Sequence, residues 1–137
     1  MEAFGFIMGL KKIVCVQALK YNLRIIPHPL NGQIDVQPIS NLNFYPAVWK
    51  TLSARRQIYL SIVFENAGGV HYKARIDFML DLQTQGLSIC ASTVPMNGTT
   101  PIVLIDDKAT VTLNTERIVA EKVLEKLRYA LNQRGLK

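Results

Sequence analysis

The run Gln57-Ile58-Tyr59-Leu60-Ser61-Ile62-Val63-Phe64 decides how this chain is read. Ile58, Leu60, Ile62 and Phe64 fall on one face of an extended segment and Gln57, Tyr59, Ser61 and Val63 on the other, because side chains on a strand alternate with a period of two. After Glu65-Asn66-Ala67-Gly68-Gly69 the alternation resumes, with Val70, Tyr72, Ala74, Ile76, Phe78 and Leu80 opposed to His71, Lys73, Arg75 and Asp77. Two such runs make a long antiparallel hairpin. The apolar positions are even-numbered on both strands and paired residues share a face. The loop must therefore hold an odd number of residues, which suits a three-residue Asn-Ala-Gly turn with a bulge.

On the N-terminal side, Ile13-Val14-Cys15-Val16 and Leu23-Arg24-Ile25-Ile26 are short β-branched runs joined by three residues between Ala18 and Asn22, which predicts an opening hairpin. Pro27, Pro29, Asn31 and Gly32 break the chain before a short alternating strand over Gln33 to Val36, and Pro38 to Pro46 reads as irregular. On the C-terminal side, residues 82–107 hold no Lys or Arg and a mixture of Ser, Thr, Gly and Asn. They predict a long loop with a short strand at Leu87 to Ala91, and long loops in compact domains usually carry function. Ala109 to Leu113 alternates again. From Thr115 to Gln133 the period becomes helical: Ala120, Leu124, Leu127 and Leu131 make a stripe widened by Val119 and Val123, with Asn114 or Thr115 as N-cap and Gly135 past the end. The expectation is an α+β domain spanning 1–137, an antiparallel sheet with an N-terminal hairpin and a C-terminal helix.

A chain of 137 residues that is 49% hydrophobic and 19% charged folds as one ordinary domain and is too apolar for disorder. Its net charge of +6 favours an anionic partner, and the excess is spread along the chain instead of gathered in a tail. The apolar stretch Phe4 to Leu10 is too short for a membrane span and its basic pair follows it, which argues against a secretion signal. Cys15 and Cys90 lie far apart and read as free thiols of a reducing compartment. His28 and His71 have no second ligand at metal spacing and no nucleophile beside them, and Gly68-Gly69 is too short for a phosphate loop. The sequence thus predicts no catalytic residues, no metal and no cofactor.

One constellation remains. His71, Lys73 and Arg75 share a sheet face with Tyr59 and Ser61, and Thr110 and Thr112 follow on the later strand. Cations neutralise phosphate, hydroxyls bond to sugar or base edges, and an aromatic ring offers a base a stacking surface. The same mixture also belongs to an ordinary solvated sheet face. The opposite, apolar face exceeds what one helix covers, so a second subunit is expected to complete the core through the stripe Ala120, Leu124, Leu127 and Leu131.

The order of elements resembles that of single-stranded RNA bacteriophage coat proteins, most sharply in Arg55 to Phe64, Val70 to Asp77, and Ala109 to Leu113 leading into the helix. The resemblance implies a dimer with one continuous antiparallel sheet, whose inner face binds an RNA hairpin while helices cover the outer face. Dimers would assemble into an icosahedral shell through the loop 82–107. On this resemblance Tyr59, Ser61, Val63, His71, Lys73 and Arg75, with Thr110 and Thr112, match RNA-facing positions. The expected function is a capsid subunit and not an enzyme. Its partners are a second copy and single-stranded RNA, with no membrane, in a virion assembled in the host cytoplasm. Two rivals are a small RNA-binding regulator that never assembles and another phage structural protein, such as one from a tail.

Overall fold

The computed structural model describes residues 3–25, 33–38, 56–67, 72–81, 84–94, 100–112 and 114–136. Helix α1 (Ala3–Gln17) and a 3-10 turn (Ala18–Tyr21) lead into strands β1 (Leu23–Ile25) and β2 (Gln33–Pro38). Strands β3 (Arg56–Asn66), β4 (Lys73–Asp81), β5 (Gly86–Thr93) and β6 (Val103–Thr110) follow, and helix α2 (Glu116–Gln133) closes the order. The sheet is antiparallel throughout, in the order β1-β3-β4-β5-β6. Strand β2 shares an edge of β3 with β1: β1 faces residues 64–66 and β2 faces residues 56–61, so six strands occupy five positions.

The central hairpin follows the alternation of its sequence. Ile58, Leu60, Ile62 and Phe64 of β3, with Ala74, Ile76, Phe78 and Leu80 of β4, are fully buried beneath the helices. Their register, with Ile62 opposite Ile76, puts Asn66 opposite Tyr72, whose carbonyl accepts from the Asn66 amide. The loop between them is five residues long, odd as parity requires but longer than the expected three.

Three expectations are corrected. The first run of the expected N-terminal hairpin is a helix: Ile13, Val14, Cys15 and Val16 lie in α1, where Phe6, Leu10 and Val14, continued by Ala18 of the 3-10 turn, recur four apart and bury one face. Tertiary burial outweighs the β preference of the valines and isoleucine. Half of the expected loop 82–107 is sheet, since β5 fills Gly86–Thr93 and β6 begins at Val103. The last strand accordingly runs Val103–Thr110 instead of Ala109 to Leu113: Val111 and Thr112 lie past its end, and Leu113 lies outside the described residues.

Helices α1 and α2 lie side by side on one face of the sheet, running in the same direction. Gly9 meets Glu116 near one end, and Arg128 bonds the Tyr21 carbonyl near the other. A Cβ at Gly9 would come within 3.3 Å of Glu116 Cγ, so glycine allows the close approach. The stripe Ala120, Leu124, Leu127 and Leu131 is fully buried in this same chain. That corrects its assignment to a subunit interface, because α1 supplies the cover that the sequence reading sought from a second copy. The end of α2 turns through Gly135 at φ +74°, a conformation natural to glycine.

Candidate nucleic-acid interface

The face of the sheet away from the helices carries the odd-numbered residues of β3 and β4 and the even-numbered residues of β5 and, from Asp106 to Thr110, of β6; before that a bulge shifts the register and sets Val103 opposite Ser92. Tyr59, Met79, Ser88 and Lys108 form one row across it, and Ser61, Asp77, Cys90 and Asp106 the next. Arg24 of β1 stands opposite Glu65, and Thr110 opposite Gly86 at the far edge. Tyr59, Ser61, Val63, Lys73, Arg75 and Thr110 therefore share this face, as the alternation of the sequence requires. Thr112 does not, because it lies beyond β6, where its carbonyl accepts the Thr115 hydroxyl at 2.7 Å. His71 lies outside the described residues.

The side chains brought together are less free than the sequence suggests. Arg75 Nε donates to Asp77 Oδ1 at 2.8 Å, the Tyr59 hydroxyl donates to the same oxygen at 2.7 Å, and Arg75 also donates to the Tyr59 oxygen. The three groups close a triangle. Burial pushes the Tyr59 phenol above its ordinary range, the hydrogen bond and charge of Asp77 push the same way, and Arg75 opposes them. Burial alone would lower the Arg75 guanidinium, yet Asp77 and Tyr59 hold it above its usual value. Burial raises the Cys90 thiol as well, aided by the charges of Asp77 and Asp106. Ser61 and Val63 are closed to solvent at 1% exposure each, and the Ser61 hydroxyl oxygen finds no hydrogen-bond partner. Neither side chain offers a contact to an outside molecule.

Charge on this face is balanced over β1 and β3 to β6, and the register sets Asp35 of β2 opposite Tyr59. Arg24, Lys73, Arg75 and Lys108 stand with Glu65, Asp77, Asp81 and Asp106, and both Arg24 and Arg75 are paired, to Glu65 and Asp77. The positive excess lies in the helical layer. Lys11, Lys12 and Lys20 have no acid among the described residues of α1 and the 3-10 turn, and the five cations of α2 and its end stand with Glu116, Glu121 and Glu125 of the helix and with Asp107 of β6, which pairs with Lys126. Sequence counting misses this division because it cannot say which charges share a surface. The Arg75–Asp77 pair was legible, since residues two apart on a strand share a face.

Among the described residues no group of His, Cys, Asp or Glu is placed to hold a metal ion, and no helix is long and apolar enough to cross a membrane. Compared with family models, curated proteins and solved structures, the chain matches none.

Proposed function

We propose that the chain is a virion structural subunit, a coat protein of the single-stranded RNA bacteriophage kind, which self-associates, closes into an icosahedral shell and holds RNA against the polar face of its sheet. The observation that carries the reading is a sheet with unlike sides: both helices pack on its apolar face, while the other face brings Tyr59, Lys73, Ser88, Lys108 and Thr110 to solvent. A shell needs such a plate, with one side turned to the genome. The outer rows of the polar face supply Tyr59, Lys73, Ser88, Lys108 and Thr110, which are partly or fully exposed. Lysines answer phosphate, hydroxyls answer sugar and base edges, and a phenol ring can stack. The protein would work by stoichiometric binding, with neither cofactor nor catalytic step.

Electron microscopy of the purified recombinant protein, with recovery of nuclease-protected nucleic acid, tests the proposal. Closed particles containing RNA are expected. Dispersed protein that binds RNA would turn the reading to a non-assembling regulator, and tubes or rings without RNA to a tail-type structural protein.

A further inference from the structure

We infer that the outer side of α1 is a docking surface for an anionic lipid bilayer, against which the helix lies flat. The inference goes beyond the reading above, since it concerns the layer of the molecule opposite the RNA surface. A helix packed on a sheet ordinarily turns polar side chains to water. The outer side of α2 does so with mixed signs, Arg117 and Lys126 among Glu121 and Glu125, around an exposed Ile118 and Tyr129. The outer side of α1 is largely apolar instead. Met8 is 54% exposed and Val16 71%, and the 3-10 turn continues the strip with Leu19 at 68%. Met8, Lys12, Cys15 and Val16 recur three and four apart, which places them on one side of the helix, and all four are exposed.

Charge says what covers this strip. Lys12 falls between Met8 and Val16 and is exposed, Lys20 is exposed beside Leu19, and Lys11 is half-buried at the margin. No acid lies among the described residues of α1 and the 3-10 turn. From α2, Glu116 reaches the helix, and its side chain packs against Gly9 on the flank. A second copy is a poor match, because two such strips face to face would oppose lysines with no carboxylate between them. Nucleic acid would match the ammonium groups and leave Met8, Val16 and Leu19 without partners. A bilayer with acidic headgroups answers both: its phosphates meet the lysines, the apolar side chains enter the acyl boundary, and the lysine stems span the step between them. With fifteen residues, α1 lies on such a bilayer instead of crossing it. The inference departs from the expectation of no membrane partner, because the strip exists only once Ile13 to Val16 are helical.

The test is co-sedimentation of the full-length protein with vesicles. Binding is expected to vesicles of phosphatidylcholine and phosphatidylglycerol in equal parts, to weaken as salt is added, and to be about tenfold weaker or less on phosphatidylcholine alone. K12Q/K20Q should lower binding to the mixed vesicles about 25-fold, taking roughly fivefold for each cation. V16S/L19S should lower it about tenfold or more, since these side chains no longer bury apolar surface in the bilayer. All four positions are exposed, so circular dichroism should be unchanged in both variants. A polarity-sensitive fluorophore on Cys15, in a C90S background, should shift to the blue on the mixed vesicles. The same fluorophore on K108C, in a chain with C15S and C90S, should not, because Lys108 lies on the polar face of the sheet. Absence of binding to the mixed vesicles, binding unchanged in either double variant, or a shift at position 108 instead of Cys15 would each overturn the inference. Release from the vesicles by added single-stranded RNA would assign the lysines to phosphodiesters and overturn it as well. Micrographs separate it from the shell reading: vesicle binding without particles overturns the shell alone, and RNA-filled particles that ignore vesicles overturn the bilayer contact alone.

Discussion

Arg128 donates a hydrogen bond of 2.9 Å to the hydroxyl of Tyr72, which ties the middle of α2 to the residue that leads into β4. The same guanidinium donates to the carbonyls of Tyr21 and Leu136 and to Asn132 Oδ1. A planar fork with five donors serves this junction, which joins the end of the 3-10 turn, the start of β4 and the C-terminal turn. Arg128→Ala should destabilise the fold by about 1–3 kcal/mol, because it strips partners from a Tyr72 hydroxyl whose residue is only 7% exposed. Arg128→Lys should recover little of it, since one ammonium cannot span the fork. Urea unfolding of the three proteins checks both.

Ser61→Ala is expected to leave stability unchanged or raise it by about 1 kcal/mol. The hydroxyl is buried without a partner, and removing an unsatisfied polar group relieves its desolvation. RNA affinity should not move, because Ser61 is closed to solvent. A clear loss of stability in the Ala variant would show that the hydroxyl is satisfied in solution.

The Tyr59 phenol gives stability a defined alkaline limit. Its pKa in the folded chain lies above the ordinary value of 10.0, so the stabilising contribution is fully present below pH 10 and is lost as pH rises through the folded value. Thermal unfolding followed from pH 9 to 12 should show a falling midpoint, and Tyr59→Phe should make the fall shallower. An equal fall in both proteins would assign the alkaline limit to other groups.

The division of charge between the two layers makes the RNA surface separable by mutation. Replacing Arg24, Lys73 and Lys108 with Ala should lower RNA affinity and reduce the salt slope by about 2, taking roughly 0.7 for each lost single-strand phosphate contact. Replacing Lys11, Lys12 and Lys20 should lower affinity less and leave the slope nearly intact. These side chains are mostly exposed, so folding should tolerate both sets. Filter binding over a salt series decides it, and the reverse order would move the RNA to the helical layer.

The central hairpin and α2 were legible because each buries one face and the apolar period shows it directly: two for Ile58 to Phe64, close to four for Ala120 to Leu131. Helix α1 was not, because Ile13, Val14 and Val16 prefer strands in isolation. Its evidence is the four-residue spacing of Phe6, Leu10, Val14 and Ala18, which gains meaning only when α2 and the sheet are there to cover it. Strand β6 was hidden by Asp106-Asp107-Lys108, since an edge strand partly bathed in solvent keeps charges on both faces and loses the alternation that marks a central one. The candidate site was legible as a set of positions on one face. The triangle that occupies Arg75 and the burial of Ser61 and Val63 depend on neighbours that no local pattern reports.

The parallel pairing of α1 with α2 also sets the order in which the molecule can form. Gly9 meets Glu116 and Tyr21 meets Arg128, so the helical layer is stitched from segments separated in sequence by the entire sheet. On the ribosome α1 emerges before the sheet and must wait for α2 before its helical neighbour exists. Contacts this distant along the chain slow folding, because the intervening loop must be closed before any of them forms. During that wait the apolar side of the hairpin is bare, and translation speed and chaperone capture govern how much chain reaches the native plate.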